Sequence, residues 1–535
     1  MNHLLTVADA VATHARLHPH KLGARDSRRA LTYAQWHTRA RRLAAGLVDP
    51  AGLGLVKGDR VALLAYNCVE WMEMYVALAH AGLVAVPINF RLTTPEIAYI
   101  AEHSEARAFI VQHDLVERVA PLRGTLPALS ERGWIHFGGA GPGEAATATP
   151  AGWQGYEALI AGASPAATLD AIEVRPGDPC ALMYTSGTTG RPKGAVRSHE
   201  GNTLIALATA LEMGFKRDDS ALLVMPMCHA NSLYFSHTFT HLGATCVIDD
   251  RKSFDPEALL ATLARERITF TSLVPTHYIM MLALPDEVKA RHDVSAVQKL
   301  LISSAPARRE TKLAILEHFR NGSLYELYGS TEAGWVTLLR PDEQIERLGT
   351  VGREWAGSGA IRLLDADGRE VADGEVGELY SRTPYVFDGY WKNPAKTAEA
   401  MRGAWCSVGD MARRDADGYI TLVDRKSNMI ISGGENVYPS EVESILGAHP
   451  AIQDVAVIGV PHDKWGEAVE AVVVLHAGHA QVDEAAILDW CRSRMAGYKR
   501  PQAIRFVTDA QMPRTATGKI LHRVLRDRLT SGAGA

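Results

Sequence analysis

The stretch Tyr184-Thr-Ser-Gly-Thr-Thr-Gly-Arg-Pro-Lys-Gly194 follows the apolar run Cys180-Ala-Leu-Met183, which predicts a short buried strand. It contains three glycines, four Ser or Thr hydroxyls and Lys193. Glycine lets the backbone approach a ligand closely, and clustered amide N–H groups with hydroxyls form an anion site to which a lysine adds charge. The stretch therefore predicts a polyphosphate site at the end of a strand.

The spacing of this stretch differs from that of a Walker A loop. That loop needs a glycine, four further residues and then Gly-Lys-Ser/Thr. Here Gly190 is followed by Arg-Pro-Lys, and Gly194 comes after the lysine. The P-loop NTPases are thereby excluded. A plain Ser/Thr-rich surface loop is the alternative, but the preceding strand, the glycine spacing and the lysine together favour the phosphate site.

Helical and strand patterns alternate through most of the chain. The predicted elements include strands over residues 58–65, 82–89 and 268–274, an amphipathic helix over 71–81 and a helix over 256–266. Strands separated by helices indicate a parallel sheet covered by helices, so the predicted fold class is α/β. From about Val351, short strands and the turns Asp365-Ala-Asp-Gly368 and Asp415-Ala-Asp-Gly418 predict a small β-barrel-like section.

Composition limits the class of protein. The chain has 535 residues, of which 47% are hydrophobic and 22% charged, with a net charge of −5, as is typical of a globular protein without a nucleic-acid partner. The six cysteines form no CxxC pair, which predicts reduced, buried thiols. No apolar run is long enough to predict a membrane span, and no signal peptide is evident, so we expect a cytoplasmic protein.

A second polar cluster follows another strand-like run, in Tyr328-Gly-Ser-Thr-Glu332. Small residues and a carboxylate after a strand suit a ligand at the carboxyl edge of a parallel sheet. Thr331 suits a phosphate oxygen, and Glu332 suits Mg²⁺, which takes oxygen ligands and shares them with phosphates. The alternative is a helix capping box. Upstream, Ser304-Ala-Pro306 follows an apolar run and predicts a flat slot for a base.

These motifs resemble the adenylate-forming superfamily, which comprises acyl-CoA synthetases, peptide-synthetase adenylation domains and beetle luciferases. The resemblance extends from Leu31 to Lys519. It implies a large AMP-binding domain over residues 1–424 and a smaller, mobile α+β domain over residues 425–535. The hinge would lie near residues 424–427, and the two domains would take two relative orientations during the reaction. Ser427 stands where many relatives carry Asp or Lys, so the usual charge at the pivot is absent.

The resemblance also assigns roles to single residues. Lys519 matches the adenylation lysine, and His229 lies between the carboxylate pocket and the phosphate. Asp410 and Arg425 bind the ribose hydroxyls, Gly433 and Gly434 leave room for a thiol arm, and the nucleotide end of coenzyme A contacts Trp465, Tyr498 and Arg500. The alternatives are that Lys519 is a solvated lysine and that His229 is a core histidine. Gly433 and Gly434 would then form a turn before a helix capped by Ser440, and Trp465 would be buried.

The predicted catalytic residues are Lys519, Lys193, His229 and Glu332. The predicted metal ligands are Thr185 and Glu332. The predicted cofactor-binding residues are Thr185, Ser186, Gly187, Thr188, Thr189, Gly190, Ser304, Ala305, Pro306, Tyr328, Gly329, Ser330, Thr331, Asp410, Arg425, Gly433, Gly434, Trp465, Tyr498 and Arg500.

The resemblance implies an ATP-dependent acyl-CoA synthetase that uses ATP, Mg²⁺ and coenzyme A. A carboxylate would attack the α-phosphate of ATP to give an acyl-adenylate and pyrophosphate, and the thiol of coenzyme A would then displace AMP. Three alternatives stay open: an enzyme that loads a carrier protein, a luciferase-type oxidase, and a non-catalytic nucleotide-binding regulator. The partners are small molecules, and a homodimer is one open alternative for the oligomeric state.

The positions that line the acyl pocket in the family indicate which class of acid fits. Those positions are Ala230, Asn231, Ser232, Tyr234, Ala333, Gly334 and Trp335. An indole in the wall shortens a pocket or stacks on a flat ring, and Asn231 and Ser232 add hydrogen-bonding groups that an alkyl chain leaves unpaired. This favours a short-to-medium or aromatic acid over a long-chain fatty acid. The alternative is that Trp335 packs away from the site.

Overall fold

The computed structural model describes residues 6–138, 147–163, 167–185, 191–303, 307–432, 435–462, 464–479, 481–492, 494–514 and 520–530. The chain divides into two compact units. The first comprises Met1–Ile361 and Ser381–Cys406, and the second comprises Arg362–Tyr380 and Ser407–Ala535. In the ranges given above, every helix is too short or too polar to cross a membrane.

Two large sheets form the frame of the first unit. One runs, in spatial order, through Gly334–Leu339, Ser323–Ser330, Lys299–Ser303, Phe270–Leu273, Ser220–Leu223, Thr245–Ile248, Leu22–Arg25 and Ala30–Thr32. The other runs through Gly389–Tyr390, Lys193–Ser198, Pro179–Thr185, Val84–Ile88, Arg60–Leu64, Ala106–Gln112, Trp134–Phe137 and Gln154–Gly155. Both are parallel in their centres and antiparallel at an edge, in agreement with the predicted α/β class.

Strand Arg60–Leu64, in the interior of the second sheet, is buried on both faces. In strand Arg60–Leu64, Val61 and Leu63 point into a core that also contains side chains of the first sheet and of the helices between the sheets. Ala62 and Leu64 point into a separate core on the opposite face. Since successive side chains of a strand alternate between its faces, a continuous apolar run is what such a position requires.

The helices of the first unit pack against the two sheets. Their bounds are Val7–Leu17, Tyr33–Val48, Glu70–Ala81, Thr94–His103, Val116–Val119, Tyr156–Gly162, Ala167–Asp170, His199–Glu212, Ala230–Leu242, Pro256–Arg265, Pro275–Leu282, Asp286–Lys289, Arg309–His318 and Pro394–Ala400. Several begin at a threonine cap. Thr32, for example, forms a capping box with Gln35, which satisfies amides that a helix start leaves unpaired.

Helix Glu70–Ala81 departs from its prediction. It was expected to be amphipathic, but all of its residues except His80 are buried, because it lies in the core between the two sheets. Its charges are paired: Glu73 is 0% exposed and accepts hydrogen bonds from the guanidinium groups of Arg29 and Arg39 and from the Tyr156 hydroxyl. A buried carboxylate is tolerated when it is paired in this way.

The second unit begins with a small antiparallel sheet. Strand Val376–Ser381 pairs with Asp410–Arg414, which pairs with Ile420–Arg425. A further sheet runs through Glu435–Val437, Ile430–Ser432, Gly466–Leu475 and Ile452–His462, with Ala503–Phe506 parallel to Gly466–Leu475. Helices Pro439–Leu446 and Glu484–Arg492 cover one face of that sheet, and helix His522–Thr530 covers the other. The predicted smaller, mixed C-terminal part is thus present.

Other sequence predictions are met locally. Gly368 and Gly418 take positive φ and close the two predicted turns with hydrogen bonds to Asp365 and Asp415. All six cysteines are free thiols, and five of them are buried while Cys180 is half-buried. The predicted cap at Ser440 is wrong. Helix Pro439–Leu446 begins one residue earlier, and the Ser440 amide donates to Asp424 instead.

Candidate active site

Two hairpins of the first unit bring the predicted residues together. Strands Pro179–Thr185 and Lys193–Ser198 are antiparallel neighbours, with Thr185 directly opposite Lys193. The predicted loop residues between them, Ser186, Gly187, Thr188, Thr189 and Gly190, lie outside the described residues, as do Ser304, Ala305 and Pro306. The Thr185 hydroxyl and the Lys193 ammonium group therefore belong to the strand residues that flank the predicted phosphate loop.

Helix Thr94–His103 holds both ends of that loop. Nδ1 of His103 lies 2.8 Å from the Tyr184 hydroxyl, just before the loop. The hydroxyl of Tyr99 donates to the carbonyl oxygen of Pro192 at 3.2 Å, just after it. The helix thus contacts the described residues on both sides of positions 186–190.

The second hairpin carries Glu332 at its turn. Strand Ser323–Ser330 turns directly into strand Gly334–Leu339, and Ser330 Oγ accepts from the Ala333 amide at 2.9 Å. The alternative of a helix capping box is wrong, because a strand follows the turn. Gly334 has φ 71°, and a Cβ at this position would lie 2.6 Å from the Tyr385 ring, so the turn needs glycine.

Thr185, Lys193 and Glu332 meet around one further side chain, Tyr390. The Thr185 hydroxyl donates to Oε1 of Glu332 at 3.3 Å, and the Tyr390 hydroxyl donates to the same oxygen at 2.8 Å. The ammonium of Lys193 lies 4.2 Å from the centroid of the Tyr390 ring. Glu332 is 6% exposed, so these contacts form in a site largely shielded from water.

The oxygen atoms of Thr185 and Glu332 fit the Mg²⁺ that the resemblance implies. A hydroxyl and a carboxylate oxygen lie within 3.3 Å of each other, and Mg²⁺ is typically held by one or two carboxylates together with substrate phosphates. Once bound, the ion would offset negative charge on those phosphates. Among the described residues, no cluster of three or more His, Cys, Asp or Glu side chains converges as a metal site.

Arg197 supports the Glu332 turn from below and was not predicted. Its side chain is fully buried, and Nη1 donates to the carbonyl oxygens of Thr331 and Glu332, at 3.3 Å each. Its guanidinium lies over the ring of Tyr234, 5.4 Å from the centroid. The available signal was a charged residue inside the apolar run Ala195-Val-Arg197. Its two hydrogen bonds join it to carbonyls more than 130 residues away in sequence, and no local pattern indicates them.

His229 is the residue that precedes helix Ala230–Leu242. Burial, with a smaller contribution from the cation of Arg91, lowers its pKa to about 4, so the imidazole is neutral near pH 7. Its Nε2 lies 3.2 Å from the side-chain nitrogen of Asn89. The structure therefore presents His229 as a neutral hydrogen-bonding group rather than as a cation.

The residues expected to line the acyl pocket behave in three ways. Trp335 is 5% exposed and meets Tyr234 edge-on, with ring centroids 5.1 Å apart. Asn231 donates to the hydroxyls of Ser272 and Ser303. The Ser232 hydroxyl donates to the Met225 carbonyl and is buried, so its expected role in meeting a polar substrate is wrong.

In the second unit, Asp410 and Arg425 lie directly opposite each other on neighbouring strands. Nε of Arg425 lies 3.2 Å from Oδ1 of Asp410, and Asp410 is 9% exposed. The two residues predicted to bind ribose are thus already paired with each other. Nearby, Asp424 accepts from the Asn428 side chain and the Ser440 amide, which ties the segment predicted to be a hinge to helix Pro439–Leu446.

The residues predicted to contact coenzyme A are spread over the second unit. Trp465 is 39% exposed with the Lys464 ammonium 4.5 Å from its ring centroid, and Tyr498 is 42% exposed. Arg500 instead donates to the carbonyls of Met495 and Arg492, near the end of helix Glu484–Arg492. Gly433, Gly434 and Lys519 lie outside the described residues, and the roles of all these residues stay predictions.

Comparison with known proteins gives the class. Residues 11–391 match the family described as AMP-binding enzyme, and residues 441–519 match the AMP-binding enzyme C-terminal domain. The chain therefore belongs to the AMP-binding enzyme family, which confirms the predicted family.

Individual relatives differ in their substrates. The chain is 37% identical to a feruloyl-CoA synthase of Amycolatopsis sp over 524 residues, which cover 96% of this chain and 97% of the relative. It is 34% identical to a long-chain-fatty-acid–CoA ligase of Mycobacterium tuberculosis, with 94% and 93% covered. The crystal structure of an anthranilate CoA ligase in complex with anthranoyl-AMP matches with a TM-score of 0.86 at 28% identity, covering 100% of this chain and 99% of that one.

Proposed function

We propose that this protein is an AMP-forming carboxylic acid–CoA ligase. The observation that carries the proposal is the cluster of Thr185, Lys193 and Glu332 at the ends of two hairpins, in a chain that matches both parts of the AMP-binding enzyme family. An ammonium group beside hydroxyl and carboxylate oxygens is what a metal-bound polyphosphate requires.

The proposed reaction has two steps. The substrate carboxylate attacks the α-phosphate of ATP, which forms the acyl-adenylate and releases pyrophosphate. The thiol of coenzyme A then attacks the acyl carbon, and AMP leaves with the electron pair of the broken bond.

The proposed residue roles follow from charge. Two anions meet in the first step, so positive charge is needed where the phosphates lie, and Lys193 and Lys519 supply it. His229, being neutral, orients the acid without adding a charge of its own. Asp410 and Arg425 bind the ribose, and Gly433 and Gly434 line the thiol path. Use of Mg²⁺, a cytoplasmic location and a homodimer stay predictions.

We propose an aromatic or short-to-medium acid as the substrate. Trp335 and Tyr234 occupy positions that line the acyl pocket in the family, and they are buried and meet edge-on. Aromatic rings at these positions suit a flat ring better than a long flexible chain. A feruloyl-CoA synthase and an anthranilate CoA ligase among the similar proteins agree with this choice, whereas a long-chain-fatty-acid–CoA ligase does not.

The test is product analysis after incubation with ATP, Mg²⁺, CoA and a panel of benzoate- and cinnamate-like acids, hexanoate, octanoate and palmitate. We expect pyrophosphate, AMP and an acyl-CoA, with the highest kcat/KM for an aromatic acid. A preference for palmitate that Trp335→Ala leaves unchanged would overturn the substrate proposal. Adenylate formation without acyl transfer to CoA would favour an enzyme that loads a carrier protein, and no adenylate with any acid would favour a nucleotide-binding regulator.

A further inference from the structure

Tyr390 contacts both predicted charged groups of the nucleotide site. Its ring face lies under the Lys193 ammonium, 4.2 Å from Nζ to the centroid, while its hydroxyl donates to Oε1 of Glu332 at 2.8 Å. Tyr390 is 7% exposed, so both contacts are largely desolvated. One side chain thus engages a cation through its face and an anion through its edge.

Each contact is electrostatically favourable for the charged group that it engages. An aromatic face attracts an ammonium group, and the attraction grows when water is excluded. A hydrogen bond from a hydroxyl to a carboxylate is stronger than a hydrogen bond between neutral groups. A lysine and a glutamate in one buried site would otherwise attract each other strongly, and a direct pair would withdraw both from the phosphates and the metal.

Tyr390 is itself held in place. Strand Gly389–Tyr390 pairs with strand Lys193–Ser198. The Tyr390 amide donates to Oγ1 of Thr397 at 2.8 Å, and the Tyr390 ring meets Phe387 edge-on with centroids 4.9 Å apart. A ring fixed from the backbone and from the side defines where both of its charged neighbours can sit.

We propose that Tyr390 is a positioning residue that holds Lys193 and Glu332 apart, so that one acts on the phosphates and the other on the metal. This inference rests on the proposed function. The local sequence Gly389-Tyr-Trp391 carries no sign of this role, because Tyr390 lies 58 residues from Glu332 in sequence and farther still from Lys193.

Two substitutions distinguish the contact of Tyr390 with Lys193 from its contact with Glu332. Tyr390→Phe keeps the ring under Lys193 and removes the hydroxyl, whereas Tyr390→Leu removes both. Binding of a non-hydrolysable ATP analogue is measured by calorimetry with and without Mg²⁺, together with ATP–pyrophosphate exchange. For Tyr390→Phe we expect at least about tenfold weaker binding with Mg²⁺ and little change without it, as the loss of a hydrogen bond to a charged group implies. For Tyr390→Leu we expect weaker binding in both conditions.

A matched control is Tyr385→Phe. Tyr385 is a buried tyrosine of the same segment, but its hydroxyl donates to the Trp335 carbonyl, so the Mg²⁺ dependence of nucleotide binding should not change. Thermal unfolding of each variant shows that it is folded. Equal binding by wild type and Tyr390→Phe, with and without Mg²⁺, would overturn the inference.

A double variant distinguishes failure of the inference from failure of the proposed function. If Tyr390 acts through Glu332, Tyr390→Phe should add little to the loss caused by Glu332→Gln. Fully additive losses would overturn the inference while leaving the role of Glu332 intact. If Glu332→Gln itself leaves Mg²⁺-dependent binding and pyrophosphate exchange unchanged, the proposed nucleotide site is wrong.

Discussion

The side-chain amide of Asn89 points its nitrogen at Nε2 of His229, at 3.2 Å, because its oxygen already accepts the Arg91 amide N–H at 2.9 Å. With Asn89 oriented in this way, Nε2 of the neutral imidazole must accept, so the proton of His229 is on Nδ1. The orientation of a side chain two residues from Arg91 thus determines the tautomer of a residue predicted to be catalytic.

Replacing this amide by a carboxylate should reverse the charge state of the histidine. In Asn89→Asp, an anion beside His229 favours the imidazolium and should raise its pKa from about 4 toward or above the ordinary value. Nitrogen NMR of labelled His229 measures both the pKa and the tautomer. Asn321→Asp, at an exposed site, is the control, and an unchanged His229 titration in Asn89→Asp would contradict the assignment.

The ribose assignment predicts a selective loss in Asp410→Ala. Removal of a carboxylate that accepts two hydrogen bonds should weaken ATP binding by about 1.5–3 kcal/mol for each bond, with KM for the acid and for CoA little changed. Asp373→Ala is a suitable control, since Asp373 is an exposed carboxylate paired with Arg414. An unchanged KM for ATP in folded Asp410→Ala would show that the Asp410–Arg425 pair is purely structural.

The two half-reactions should separate in Lys519→Ala. If this ammonium stabilises charge only during adenylation, pyrophosphate release should fall by about 10²–10³, as for loss of one charge-stabilising donor. Thioester formation from supplied acyl-adenylate should persist. Arg528→Ala, which removes a surface cation from helix His522–Thr530, serves as the control. Equal loss of both half-reactions would argue against the assignment.

Three histidines whose imidazole rings are largely shielded from water predict acid sensitivity of the first unit. Burial lowers the pKa of His80 and His237 to about 3 and that of His199 to about 4. In the unfolded chain, these histidines take up protons near pH 6.5. The stability that their neutral form contributes is therefore fully present above pH 6.5 and is lost as the pH falls from 6.5 toward 4. Each such histidine should add about 1.4 kcal/mol per pH unit to the slope of the free energy of unfolding against pH.

Urea unfolding between pH 7.5 and 5 measures that slope. His80→Gln should lower it by about one histidine's share, whereas His20→Gln, at an exposed position, should leave it unchanged. A slope that is the same in wild type and His80→Gln would contradict the argument.

The sequence predicted what depends on local patterns. Strand Arg60–Leu64, helix Pro256–Arg265 and the two Asp-Ala-Asp-Gly turns all follow from periodicity and turn chemistry. It failed where a distant partner competes. Ser440 resembles a helix cap, but its hydroxyl donates to the Val423 carbonyl and its amide donates to Asp424, sixteen residues away.

The two residues that support the site, Tyr390 and Arg197, could not be predicted from the sequence for the same reason. Thr185, Lys193 and Glu332 each belong to a local motif, so they were found. Tyr390 and Arg197 touch them only after two hairpins and a further strand have come together, and their own neighbours in sequence give no sign of it. Packing contacts between distant segments leave no periodic trace.

Strand Arg60–Leu64 sends alternate side chains into two different cores, and this has a consequence for hydrogen exchange. Val61 and Leu63 share one backbone with Ala62 and Leu64, so loosening either core disturbs the ladder that holds the other. The amides of this strand should therefore exchange with solvent only in openings that involve the whole first unit. They would mark the most cooperative element of that unit.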